Sequence, residues 1–380
     1  MAASAEQELS RHPAAPSDRG ARPLYLWPDE AQTLLLKAAL WDGEEAMEAF
    51  RRWRGRFDLA GPVDGGTYRL LPLLHANMVR LGCDDPIMGV LKGVRRHAWC
   101  RVQERLLCAA EVVAFLGARG IRTMVSKGIP LALVYYEDRS LRPMSDVDIY
   151  VPFSQSRLAL ELLKGAGWKV VDPRWQDPIV MEAHETGLRR DKVDLDFHWH
   201  LLHDVIERKA LDADRRFWEA AAPMTVGSAQ TLRPSATDLL LHVVIHGLQY
   251  NPMSPIRWIA DVTAIVRKDG DRIDWAGALE FAARARLSLR LGLALQYLAS
   301  EIRVPIPEHV LRRAVNARPA LVERIERSYL LNDGPLSRKQ LRWRTRLALG
   351  LRLASRPDDA LRFGRRWIRR KLTAAPLPIG

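Results

Sequence analysis

Two segments alternate polar and apolar residues closely enough to restrict the backbone to extended strands: Met144–Val151, MSDVDIYV, and a run from about Lys192 to Trp199, KVDLDFHW. A strand turns successive side chains to opposite faces, so Asp146 and Asp148 share one face while Val147 and Ile149 enter a core. Pro143 and Pro152 bound the first segment. The same alternation places Asp194, Asp196 and His198 on one face of the second. Two carboxylates side by side raise each other's energy unless a cation lies between them. Oxygen-rich acidic sites suit Mg²⁺. A D-x-D pair alone also describes solvated aspartates on an edge strand, so its surroundings must decide.

Upstream, Ile121–Ser126 reads as a short strand ending in Lys127-Gly128, followed by an apolar segment through Tyr136 that suits a short packed helix. Backbone N–H groups at such a turn and helix start can hold phosphate. A helix over Ser154–Gly165 and a strand near Trp168–Asp172 complete an α+β core, residues 120–232. The expected arrangement is a small mixed sheet with helices on one face. Helical spacing over Pro28–Phe57 and Tyr68–Leu116, broken at Gly61–Gly66, predicts an N-terminal helical region, 23–119. Residues 1–22, rich in Ala, Ser and Pro, read as a disordered leader. A C-terminal helical domain spans 233–335, with helices at Leu239–Leu248, N-capped by Thr237-Asp238, at Trp258–Lys268 and at Trp275–Ile302.

With 380 residues, 48% of them apolar, the chain can bury a large core in two or three packed units. No run approaches the roughly 20 apolar residues of a membrane span, and no signal-peptide pattern opens the chain, which makes the cytoplasm the expected location. Charge is localised. Thirteen Lys and Arg against two Asp between Arg338 and Lys371 supply most of the net +13. This basic helical tail, 336–380, displays Trp343, Leu347, Leu351 and Trp367 among its arginines. This composition suits an anionic partner, whether nucleic acid, an acidic membrane or an acidic protein, but with no RNA- or DNA-binding motif the favoured expectation is a solvated helical face that packs through its apolar side. Cys83, Cys100 and Cys108 are odd in number and lack a C-x-x-C spacing, so buried or inert thiols are expected.

The order of strand, Gly turn, helix, D-x-D strand and later acidic strand resembles the polymerase-beta nucleotidyltransferase superfamily. The chain is most similar to its uncharacterised nucleotidyltransferase-like family, through Lys127-Gly128, Arg142-Pro143, Asp146-Val147-Asp148-Ile149 and Asp196-Phe197-His198-Trp199. YRLLPLLH, HVVIHGLQY and RWIADVTAIV extend the resemblance over roughly residues 30 to 300. It implies an NTP substrate and two Mg²⁺ ions, with Mn²⁺ as substitute, on Asp146, Asp148 and Asp196. Asp194 stays an alternative third ligand, because alternation puts it on the same face. Ser126, Lys127, Gly128 and Arg142 become the nucleotide-binding residues, and His198 supports Asp196 from outside the metal site. Arg142 would either contact the triphosphate or orient the strand through a salt bridge.

Two departures stand out: Lys127-Gly128 replaces the superfamily's usual Gly-Ser turn, and the interval from Gly128 to Asp146 is longer than in many members. The resulting expectation is Mg²⁺-dependent transfer of a nucleoside monophosphate to an unidentified acceptor, by in-line displacement between two metal ions. The alternative is a degenerate nucleotide-binding or regulatory module that reaches its partner through the basic tail. A zinc cluster of His198, His200 and His203 with Asp194 and Asp196 is disfavoured, because His203 falls beyond the strand. His242 and His246, four apart on a helix, read as core or interface residues.

Overall fold

The computed structural model describes residues 27–57, 63–171, 184–191, 193–202, 208–248 and 256–324. The leader, the basic tail with its tryptophans, and His203 lie outside the described residues. Four helices open the fold: α1 (Glu30–Leu40), α2 (Gly43–Arg54), α3 (Gly65–Arg80) and α4 (Met88–Gly117). Asp29 starts α1 with a capping box shared with Gln32, and the Asp64 carboxylate accepts the N–H groups of Gly66 and Thr67 at the start of α3. On α4, Val102, Leu106, Ala109, Val113 and Leu116 recur at three- and four-residue intervals, and all are buried.

Seven strands form one mixed sheet: β1 (Met124–Val125), β2 (Asp146–Tyr150), β3 (Lys169–Val170), β4 (Glu185–Arg190), β5 (Val193–His198), β6 (Ala222–Val226) and β7 (Ala229–Arg233). Their spatial order is β3-β4-β5-β2-β1-β7-β6. The two acidic strands are neighbours, β2 lying parallel to β5 near the middle of the sheet. Helix α5 (Ser156–Gly165) follows β2, and α6 (Arg208–Glu219) precedes the β6–β7 hairpin. Five helices complete the described chain: α7 (Ala236–Gly247), α8 (Arg257–Asp269), α9 (Trp275–Ala285), α10 (Ser288–Ser300) and α11 (Glu308–Val315).

Both faces of the sheet are covered, which corrects the expectation of helices on one face. Val147, Ile149, Leu195 and Phe197 pack with the apolar side of α4 and with Ala159, Leu160 and Leu163 of α5. Met124 and Tyr150 join a second core built by the N-terminal helices together with α7–α11. The two helical regions thus share one core. Trp41 Nε1 donates to the Ile302 carbonyl at 3.0 Å, and Arg267 Nη2 donates to the Leu40 carbonyl at 2.6 Å.

Other local expectations need revision. The N-cap of α7 is Ser235, whose hydroxyl accepts the Asp238 N–H at 3.1 Å, so Asp238 lies inside the first turn. The long helix expected over Trp275–Ile302 is two, broken where Arg286 adopts a left-handed conformation, φ 59°. Of the three free cysteines, Cys108 is buried and burial pushes its thiol up to about 11, whereas Cys83 is half-buried and Cys100 is exposed. Among the described residues, no helix is long and apolar enough to cross a membrane.

Candidate functional site

The register of β2 against β5 sets Asp146 beside Asp194, Asp148 beside Asp196 and Tyr150 beside His198. The rows differ in depth. Ser145 is exposed and Asp146 half-buried, Asp148 is 4% exposed and His198 1%. The site therefore has its mouth at Asp146 and its floor at His198, whose ring stacks on Tyr150 at 4.2 Å.

Strand β4, on the far side of β5, distinguishes the two candidate third carboxylates. Arg189 lies opposite Asp194, Gly187 opposite Asp196 and Glu185 opposite His198. Arg189 Nε donates to Asp194 Oδ1 at 2.5 Å, which gives Asp194 its own counter-charge. On the β4 side Asp196 faces a glycine, which brings no side chain to it. Asp148, Asp196 and His198 each turn a ligand atom toward the others, all within 4.8 Å.

Among the described residues, one ammonium reaches this group of acids. Lys127, held at a positive φ of 49° at the end of β1, donates from Nζ to Asp148 Oδ1 at 2.6 Å. His198 Nε2 lies 3.0 Å from the same oxygen. Burial works against the Asp148 carboxylate, but Lys127 and His198 outweigh it and hold the group well below the usual carboxylate range. Burial likewise pulls the Lys127 ammonium down, yet Asp148, Tyr150, Glu185 and Asp196 together keep it well above an ordinary lysine. Lys127 draws Asp196 down as well but is outweighed. Burial, followed by repulsion from Asp146, Asp148 and Glu185, pushes it up to about 9. Burial lowers His198, against the pull of Glu185 and Asp148.

These residues fit a divalent cation. The carboxylates Asp146, Asp148 and Asp196 share one face, and a single lysine does not offset them. Asp196 therefore keeps a proton that a divalent ion would displace. His184, Glu185 and His198 form a second close group, which the sequence pattern did not single out. His200 is directed elsewhere: its Nδ1 lies 2.5 Å from Asp214 Oδ2 and its ring stacks on Phe153. That contact takes it out of the disfavoured zinc reading.

Of the residues expected to meet nucleotide, Lys127 bonds Asp148, and the other three are engaged elsewhere within the protein. The Ser126 hydroxyl is 3.1 Å from His242 Nδ1 on α7. Gly128 opens a helical turn, Gly128–Pro130, that passes into a wider π-turn over Leu131–Tyr135. A Cβ on Gly128 would meet Met144 Cβ at 3.2 Å and Arg142 Nη1 at 3.5 Å, so a larger residue would have to push Met144 aside. Arg142 donates from Nε and Nη2 to the two oxygens of Asp261, at 3.0 and 2.9 Å, and from Nη1 to the Pro143 carbonyl. Of the two roles weighed for Arg142, the salt bridge is the one whose partner is in place. Asp261, on α8, also accepts from the Tyr136 hydroxyl at 2.9 Å. Sequence reasoning missed Glu185, Asp261, Arg69 and Arg257 around the site. RWIADV carries Arg257 and Asp261 at helical spacing but gives no sign of their distant partners.

Comparison with known proteins gives three results. No curated protein matches the chain. A solution structure of the antibiotic-resistance factor ANT(2'')-Ia is similar over 53% of this chain and 94% of that one, at 14% identity and a TM-score of 0.29. That overlap is too shallow to carry chemistry from one protein to the other. Residues 67–301, which hold the sheet, both acidic strands, the Lys127-Gly128 turn and the helices behind them, match the model of a family of uncharacterised nucleotidyltransferases, and the chain belongs to that family.

Proposed function

We propose that the protein transfers a nucleoside monophosphate from an NTP to a hydroxyl, amine or phosphate acceptor, with Asp146, Asp148 and Asp196 holding the Mg²⁺ ions the reaction needs. The observation that carries this reading is the asymmetry between the aspartates of β5. Asp194 has Arg189 as its bonded partner, whereas Asp196 is half-buried beside Asp148 and faces Gly187, and the Lys127 ammonium, bonded to Asp148, does not outweigh the carboxylates around it. A carboxylate is costly to keep in such a place unless it serves a ligand.

When bound, divalent ions would neutralise charge on the triphosphate and the departing pyrophosphate. The protein's own groups do the rest. Asp196, a carboxylate once the ion has displaced its proton, would help activate the acceptor by taking its proton. His198 fixes the Asp148 carboxylate through Nε2, and Tyr150 fixes His198 by stacking. Lys127 supplies a positive charge beside the nucleotide end of the site. Ser126, Gly128 and Arg142 shape that end by holding the turn against α7, Met144 and α8.

The test is label position. Cell extract serves as the acceptor source, and protein with Mg²⁺ receives each NTP labelled on the α- or the γ-phosphate. Nucleotidyl transfer puts α-label, and no γ-label, into an acceptor that mass spectrometry then identifies. Transfer of γ-label, or no transfer from any NTP, sinks the proposal.

One observation favours a second reading, a degenerate module that binds nucleotide without turning it over: the Lys127 ammonium already occupies Asp148. Such a module binds NTP equally well with Mg²⁺ or with EDTA. Calorimetry in the two conditions separates the readings, because the enzyme requires the metal for tight binding.

A further inference from the structure

With Ser126, Gly128 and Arg142 engaged inside the protein, the polyphosphate tail of a nucleotide needs other partners. We propose that Arg69 of α3 and Arg257 of α8 form a polyphosphate-binding cradle at the mouth of the site, and this rests on the nucleotidyl-transfer reading above.

Two helices from distant parts of the chain bring these guanidinium groups to the segment that leads into β2. Arg69 Nη2 donates to Ser145 Oγ at 3.1 Å, and Ser145 Oγ donates to Asp146 Oδ2 at 3.3 Å, so Arg69 stands one hydroxyl away from a metal-site carboxylate. Arg257 Nη1 donates to the Pro143 carbonyl at 2.7 Å. Both lie at the half-exposed Asp146 end, and the Arg257 side chain keeps 19% of its surface in solvent. An incoming anion meets them before it meets Asp148.

The charge balance points the same way. Three arginines, Arg69, Arg142 and Arg257, are crowded enough to repel one another. Asp261 sits among them, but both of its oxygens are taken by Arg142, and Arg257 approaches it only to 4.0 Å. The contacts of Arg69 with Ser145 and of Arg257 with Pro143 are to neutral oxygens. Asp146, the other acid nearby, belongs to the metal site. Two guanidinium groups held by uncharged acceptors beside a carboxylate pair match an anion of high charge that is also bound to a divalent cation. The β- and γ-phosphates of a metal–NTP complex have that chemistry. Planar guanidinium forks bind phosphate oxygens in pairs, which a lysine at the same place cannot do.

Binding of Mg²⁺–tripolyphosphate to the full chain, followed by calorimetry, tests the cradle without requiring turnover. The variants are Arg69→Gln and Arg257→Lys, each checked for a wild-type circular dichroism spectrum. Arg69 is partly exposed and, among the described residues, bonds a hydroxyl and no carboxylate, so its variant keeps the test alive if Arg257→Lys fails to fold. The wild type is expected to bind tripolyphosphate, with each folded variant weaker by about tenfold or more. NTPs should compete with it and lose affinity in parallel. Tripolyphosphate binding that needs Arg69 while no NTP binds keeps the anion cradle but overturns its assignment to a nucleotide, and the nucleotidyl-transfer reading with it. Wild-type affinity in Arg69→Gln, or no tripolyphosphate binding by the wild type, overturns the cradle itself.

Discussion

Replacing Asp196 with Asn should make the metal-free protein more stable while removing its response to Mg²⁺. Asp196 is half-buried beside Asp148, and desolvation together with Asp146, Asp148 and Glu185 pushes it from 3.8 up to about 9. The native value lies above the unfolded one, so between these pH values the native protein holds a proton that the unfolded chain has released. Metal-free stability is therefore fully present below the unfolded value and falls as pH rises toward the native one. At pH 7 the group has crossed about three pH units of that range. At about 1.4 kcal/mol per unit the penalty has a ceiling of about 4 kcal/mol. Relaxation and water around the pair reduce this to about 1–3 kcal/mol.

Asparagine keeps the shape and discards the charge, so Asp196→Asn should recover that amount. At about 2–4 °C per kcal/mol, the gain is visible in a thermal melt. The assay compares the melting temperatures of wild type and variant in EDTA at pH 5, 7 and 8.5, then repeats the pH 7 pair in Mg²⁺. The expected difference grows with pH in EDTA and shrinks or reverses in Mg²⁺, because only the wild type gains from the ion. A variant that melts at or below wild type at every pH, with both responding equally to Mg²⁺, would refute the reasoning.

Other perturbations test the frame of the site. Asp261→Ala leaves the Arg142 guanidinium buried without its carboxylate, and urea unfolding should register a loss of about 3–5 kcal/mol that the Arg142→Met/Asp261→Leu double variant largely recovers. Gly128→Ala forces a methyl to 3.2 Å from Met144 Cβ. It should cost about 1–3 kcal/mol, and Met144→Ala in the same chain should relieve part of it, read as an interaction energy in a double-mutant cycle. Lys127→Gln removes the ammonium from Asp148; its metal-free melting temperature should fall, and the increment produced by Mg²⁺ should exceed that of the wild type.

The pattern of residues carried the acidic pair well, because what places Asp146 and Asp148 on one face is local: period-two alternation between two prolines. The choice between Asp194 and Asp196 was not local. It depends on β4, a strand with the weak pattern ETGLRR, whose Arg189 and Gly187 fall opposite the two aspartates only once the hairpin has formed. Arg142 shows the same limit, since its partner Asp261 lies 119 residues away on another helix. The β6–β7 hairpin was also missed, its strands being short and its alternation interrupted by Pro223. Helices were easier to place than their ends. Ser235 and Thr237 are both good caps by composition, and only the Ser235 hydroxyl reaches a free N–H of the first turn.

The most direct test of the account is the rate at which α-labelled NTP enters an acceptor with wild-type protein and with the Asp146→Asn/Asp148→Asn double variant, both shown to be folded. Mg²⁺-dependent incorporation by the wild type is expected, with a loss of more than ~100-fold in the variant, since the site then lacks two of its three carboxylates. Incorporation at the wild-type rate by the folded double variant would contradict it.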